Sequence, residues 1–313
     1  MRITDNMLTN NFIYNFNGSL SKISKLQDQL SSGLAVNKPS DDPVKSVRSL
    51  KFRADLTEND MFSQNASDAV SWMQTSDGAM TNAENVMQSI KTLIIRVTAP
   101  NPDIAYEAAA AQLDGYINEL MNLGNTQLGG RYLFAGQNTQ SQPFTRDPAT
   151  GVVTYNGTYD GQGGNPYAGT VTMKVSPGAP DPIRDKVNVD GQSFFGTIDA
   201  AGQPQLFANL NQIKADMLAG DVDTLSADLG IWETDNDNLL KAQTGLGARQ
   251  SVYTTMKERL TSDYVTIKSD LSQNEDLDAA KASIDFQSAQ NVYNAALAIG
   301  AKILPQSLAD YLK

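Results

Sequence analysis

No proline interrupts the chain between Pro43 and Pro100, or again between Pro204 and Pro305, whereas residues 136–220 hold 12 of its 23 glycines and 7 of its 12 prolines. Proline removes a backbone donor and clashes with the preceding helical turn, so long helices survive only where it is absent. Glycine and proline together mark turns and loops. The distribution therefore predicts a mainly α chain: long helices built from both termini, enclosing a small β-rich insertion.

The N-terminal flank carries helical periodicity. Phe16, Leu20, Ile23, Gln27, Leu30 and Leu34 follow the alternating four-and-three spacing of a heptad seam. Gly33 loosens that helix, and Asn37-Lys38-Pro39-Ser40 reads as a turn. Asp42 followed by Pro43 is a helix start: a carboxylate to cap the free N–H groups, then proline where its missing donor costs nothing. A helix is expected from there to about Val97, stopped by Pro100 and Pro102, and another from about Ile104 to Leu123. The C-terminal flank mirrors this, with one stripe of Met256, Leu260, Tyr264, Ile267 and Leu271 and a second of Ala289, Val292, Ala296, Ile299 and Ile303. Leu20, Ile23 and Leu30, with Val292, Ile299 and Ile303, are the expected seam of an inner helical pair, through which copies would polymerise.

In the middle, Gly151 to Tyr159 alternates β-formers around Asn156-Gly157, a favoured hairpin turn. Thr170 to Val175 is a second candidate strand, and Val187 to Phe195 is expected to turn at Asp190-Gly191.

The chemistry available is narrow. There is no Cys and no His, which excludes disulfides, thiolate nucleophiles, His-based triads and ordinary zinc sites. The net charge of −11 argues against nucleic acid, whose phosphates attract clustered Lys and Arg. No cleavable secretory signal or membrane-spanning apolar run is visible. Asp41-Asp42 resembles a catalytic carboxylate pair only on paper, because adjacent turn residues diverge. Asp235-Asn236-Asp237-Asn238 lacks the glycine of a calcium loop and is expected to be a solvated helix face. Gly161 to Gly164 lacks the Lys-Ser/Thr of a phosphate cradle. Trp72 and Trp232 are expected in helical cores. Arg249 is expected to clamp a carboxylate on a neighbouring helix of the same chain. A carboxylate-based glycan hydrolase housed in residues 136–220 would have to work without any Glu.

The two ends share a rarer property: neither Asn6–Ser21 nor Phe286–Ala301 contains a charged residue. Exposed helices normally carry charge on their outer face. Neutral, amide-rich faces suit burial among identical neighbours, since any charge would repeat in every copy.

Several segments resemble the bacterial flagellin superfamily of axial proteins, specifically its hook-associated protein 3 (FlgL) type. Leu30-Ser31-Ser32-Gly33 followed by Asn37 to Pro43 is similar to its N-terminal signature, and Met1 to Thr4 to its start. Gly130-Arg131-Tyr132-Leu133-Phe134-Ala135-Gly136, with Pro143-Phe144, resembles the entry to its variable domain. Val187 to Gly196, with Phe194 and Phe195, resembles an element within that domain. Leu246 to Gln250 is similar to its returning-helix motif and Leu308 to Leu312 to its terminal one.

The resemblance implies a layered subunit. Residues 1–44 and 275–313 would form the halves of an inner coiled-coil domain, 45–135 and 220–274 those of a helical middle domain, and 136–219 a variable β-rich outer domain. It implies no enzyme activity and no cofactor. The expected partners are further copies of the chain in a ring, the first hook–filament junction protein, flagellin, and an export chaperone before type III secretion to the extracellular flagellum. Neither nucleic acid nor membrane insertion is implied. Flagellin itself is the alternative within the superfamily, and a non-flagellar coiled-coil scaffold the alternative outside it.

Overall fold

A computed structural model describes residues 5–99, 102 and 104–303, without the side chains of residues 5, 6, 8, 9 and 301–303. The Met1–Thr4 and Leu308–Leu312 motifs, the Pro100 stop and the Ile303 side chain lie outside the described residues. The chain groups into two compact units, one from residues 1–59 with 262–313 and one from residues 60–261.

The terminal unit holds helix α1 (Asp5–Ser32), the start of α2 (Pro43–Thr98), the end of α6 (Val222–Glu275), and α7 (Ala279–Ile303). α1 stops at Gly33, whose φ of 73° lies in the left-handed region that glycine enters without steric cost. α2 starts where Asp42 Oδ1 accepts from the backbone N–H of Val44 (3.1 Å) and of Lys45 (3.0 Å). The loops after α1 and α6 pair in one antiparallel bridge, Leu34 opposite Asp276. Ala35 N donates to Glu275 O at 2.7 Å and Leu277 N to Gly33 O at 3.0 Å.

In the central unit, α2 and α6 bury residues at alternating three-and-four spacing. On α2 these include Phe62, Ala66, Ala69, Met73, Ser76, Met80, Ala83, Met87, Ile90, Ile94 and Val97. On α6 they are Leu225, Asp228, Trp232, Asp235, Leu239, Leu246, Tyr253 and Leu260. Trp232 Nε1 donates to Met87 O at 2.8 Å, and Gln243 Nε2 reaches Asp77 Oδ1 and Thr81 Oγ1, both at 3.0 Å. Trp72 is buried as well. Asp235 and Asn236, expected on a solvated face, are buried instead. They occupy inward positions of the α6 stripe, and Asn209 Nδ2 donates to Asp235 at 2.8 Å.

Two further helices, α3 (Tyr106–Gly124) and α5 (Gln205–Ala219), pack on each other. α5 lies in the segment expected to be β-rich. Leu206, Phe207, Leu210, Ile213 and Met217 supply its buried stripe, and Gly220, with φ of 69°, ends it.

The β structure is small. Strands β1 (Gln127–Leu128) and β2 (Arg131–Tyr132) form a hairpin around Gly129-Gly130, whose φ values of 58° and 77° suit a two-residue turn. β3 (Phe144–Arg146) pairs antiparallel with β4 (Val153–Tyr155), Phe144 opposite Tyr155. The hairpin expected around Asn156-Gly157 is thus displaced: β4 ends at Tyr155, and Asn156 N bonds back to Pro143 O. Thr170–Val175 contributes only an isolated bridge, Thr172 to Lys186. Val187–Phe195 does not form a hairpin either. Asp190 caps a short helix, α4 (Gly191–Phe195), by accepting from Ser193 N at 2.7 Å. α4 carries Phe194 and Phe195 into an aromatic cluster, with Phe134–Phe194 at 4.5 Å, Phe144–Phe195 at 5.0 Å and Phe195–Phe207 at 4.9 Å between ring centres.

Candidate assembly surface

The pairing of α1 with α7 defines two faces on each helix. The inward side of α1 carries Phe12, Phe16, Ile23 and Leu26. That of α7 carries Ala282, Ala289, Tyr293, Ala296 and Gly300. Phe16 stacks on Tyr293 with centroids 4.9 Å apart, and on Phe12 at 5.9 Å. Small residues on α7 let the aromatic side of α1 approach closely.

The expected seam is redistributed across these faces. Ile23 and Leu30 are half-buried. Leu20, Val292 and Ile299 are instead 47%, 55% and 53% exposed, so they do not join α1 to α7. Tyr293 buries a larger, stackable surface than Val292 would, and its inward turn brings Gly300, rather than Ile299, under Phe12. Sequence reading missed Phe12, Tyr293 and Gly300. The signal was there in their spacing, which is also helical.

What faces outward is uncharged and mixes apolar side chains with amides. Met7, Ile13, Tyr14 and Leu20 on α1 and Val292, Leu297 and Ile299 on α7 are all exposed, Tyr14 to 80%. They lie in or beside the two charge-free stretches, so Asn, Gln and Ser are the polar residues among them. Exposed apolar side chains on helix faces without charge are candidates for an interaction surface.

At the base of the pair, the contacts are ionic. Arg53 Nη2 contacts both carboxylate oxygens of Glu275, at 3.1 and 3.0 Å, and Asn274 Nδ2 donates to Lys45 O (2.9 Å) and Ser49 Oγ (2.8 Å). Lys25 sits 3.1 Å from Asp41 and holds its carboxyl below the ordinary carboxylate range.

In the central unit, the charged groups tie elements together. Arg146 on β3 forks onto Asp114 of α3 at 2.6 and 3.1 Å, and also reaches Asn118 at 2.7 Å. Lys214 of α5 bonds the same carboxylate. Arg146 first, then Lys214, hold Asp114 down at about 2, against the opposing effect of burial. Lys186 bridges Asp160 at 2.5 Å and Asp190 at 3.8 Å. Among the described residues Arg249 forms no such clamp: its Nε turns to the Gly245 carbonyl of its own helix at 3.3 Å, and burial pushes its pKa down. Among the described residues no group of three potential ligands is placed to hold a metal ion, and no helix is long and apolar enough to cross a membrane.

Residues 3–139 match the family model of the bacterial flagellin N-terminal helical region. Hook-associated protein 3 of Salmonella typhimurium is 29% identical over 155 residues, 48% of this chain and 48% of that protein. Over that region the chain is similar to the bacterial flagellin superfamily. A flagellin of Clostridium tyrobutyricum is 29% identical over 127 residues, covering 40% of this chain and 34% of the relative. The chain thus spans half or less of the length of these relatives. Its fold is also that of hook-associated protein-3 from Legionella pneumophila, with a TM-score of 0.58 at 14% identity, covering 72% of this chain and 98% of that one.

Proposed function

We propose that this chain is a member of the flagellin superfamily and the junction subunit between hook and filament, and that it polymerises through its terminal helices. The observation that carries this reading is the outward apolar face of α1 and α7, uncharged over Asn6–Ser21 and Phe286–Ala301. In a lone molecule that surface is exposed to water at a cost of roughly 25 cal/mol per Å². Packed against other copies it stabilises the assembly, and no charge is buried in doing so.

In this reading, residues 1–44 and 275–313 form the inner layer as a coiled coil, 45–135 and 220–274 the middle, and 136–219 the outer. The chain leaves the cell by type III export with a chaperone's help. It then stands as a ring between the first junction protein and flagellin. Localisation tests the reading. Labelled protein is expected as a band at the hook tip, and deletion is expected to release unpolymerised flagellin into the medium. Labelling along the whole filament would instead make the chain flagellin, a reading kept in view by its similarity to flagellins.

A further inference from the structure

α2 and α6 are the longest helices among the described residues, and both carry glycine at one level of their antiparallel pair. Gly78 stands on α2, Gly245 and Gly247 on α6. Gln243 fixes that level, because its Nε2 reaches Asp77 and Thr81, which flank Gly78. A glycine inside a helix costs stability, having the most backbone freedom to lose. Close packing accounts for Gly124, where a Cβ would collide with the rings of Phe144 and Phe195. At Gly78, Gly245 and Gly247 a Cβ would meet nothing within 4 Å, and all three are exposed. Among the described residues, no contact calls for glycine there.

Side chains also tap the ladder in these turns. Ser76, a polar residue in the buried stripe of α2, donates its hydroxyl to Trp72 O at 2.9 Å. On α6, Thr244 Oγ1 donates to Leu240 O at 2.8 Å and Arg249 Nε to Gly245 O at 3.3 Å. Side chains that share a carbonyl with the helix weaken it and favour bending.

Trp72 supplies an independent sign. It is 4% exposed, and its Nε1 has no hydrogen-bond partner among the described residues. Trp232, the chain's other tryptophan, donates across the pair to Met87 O. Trp72 precedes Met87 by fifteen residues and Gly247 follows Trp232 by fifteen, so the antiparallel register sets Trp72 level with Gly247. In the straight helix no carbonyl of that turn reaches the indole, and a buried N–H without an acceptor is costly.

We infer that the α2–α6 pair hinges at this level, and that in the bent form the Trp72 indole N–H takes up a carbonyl of the α6 turn holding Gly245 and Gly247. Glycine and an interrupted ladder are where helices kink, and hinges sit at the few positions able to absorb the backbone change. The hinge is a property of the single chain and stands apart from the junction reading.

Hydrogen exchange of the dilute, full-length chain, read by mass spectrometry, tests it. Amides of residues 241–250 are expected to exchange about tenfold or more faster than those of 232–240 on the same helix. Gly78→Ala, Gly245→Ala and Gly247→Ala are each expected to slow exchange in their own turn roughly fivefold and to leave 232–240 unchanged. Trp72→Phe is expected to slow 241–250 by about fivefold too, because the bent form loses a bond and the straight form loses an unpaired donor. Equal exchange in 241–250 and 232–240, or uniform slowing along both helices in the alanine variants, would overturn the hinge. Unchanged or faster exchange in Trp72→Phe would overturn the part given to the indole.

Discussion

The ring of Phe12 occupies the space a side chain at Gly300 would need: a Cβ built there would fall 2.3 Å from Phe12 Cζ. This is how α7 fits against α1. Gly300→Val is therefore expected to destabilise the helical pair by about 1–3 kcal/mol, the usual cost of overpacking. The helix signal by circular dichroism should fall at lower urea concentration while the near-ultraviolet signal of Trp72 and Trp232 is retained. Coincident loss of both signals at an unchanged midpoint would contradict it.

Its neighbour in sequence should behave in the opposite way. Ile299 is 53% exposed, so Ile299→Asp is expected to change the melting of the isolated chain by no more than ~0.5 kcal/mol. Assembly should nevertheless be lost, because each copy would bury an unpaired carboxylate against the next. Cells carrying the variant are expected to make hooks but no attached filaments, which electron microscopy would show. Normal filaments would count heavily against assembly through this face.

Asp114 predicts acid sensitivity of the central unit. Arg146 and Lys214 depress its folded pKa to about 2, below an unfolded value of about 3.9. The carboxylate's contribution is therefore complete above about pH 4 and disappears as pH falls towards 2. Asp114→Asn is expected to cost about 1–2 kcal/mol at neutral pH and to flatten the loss of stability across that acid window. Urea melts at pH 7, 4 and 2 measure both effects.

Asp228 works in the other direction. It is 4% exposed on the α6 stripe, its Oδ2 has no hydrogen-bond partner among the described residues, and burial, with Asp216 nearby, raises its pKa. A raised acid means the folded state binds its proton more tightly. The destabilisation is then full above the folded pKa and fades as pH falls to about 3.9. Asp228→Leu is expected to stabilise the chain at pH 7 by about 1–2 kcal/mol. The melting temperature should rise at pH 7 and change less at pH 4. A lower melting temperature at pH 7 would contradict this prediction.

The large divisions were legible because proline and glycine act locally. The start of α2 at Pro43 and the end of α1 beside Gly33 follow from backbone chemistry that needs no partner. The choice between Val292 and Tyr293 as the inward residue was not legible. Both suit a helical stripe, and only the stacking of Tyr293 on Phe16 decides between them. Likewise Asp235 and Asn236 read as solvated until the helix carrying them proved buried on that side. Asp190-Gly191 has the composition of a hairpin turn, yet the same carboxylate can cap a helix, and here it bonds Ser193 N. The outward face of the ends was visible as a lack of charge, which survives any shift of helical register.

The clasp at the foot of the terminal helices has a temporal consequence. Arg53 and Glu275 stand 222 positions apart, and Ala35 N and Gly33 O find their backbone partners in Glu275 and Leu277. On the proposed export route, whichever end of the polypeptide emerges first carries a helix that must wait for almost all the remaining residues before it can dock. Ordering of the extremities is thereby deferred to the final moments of delivery.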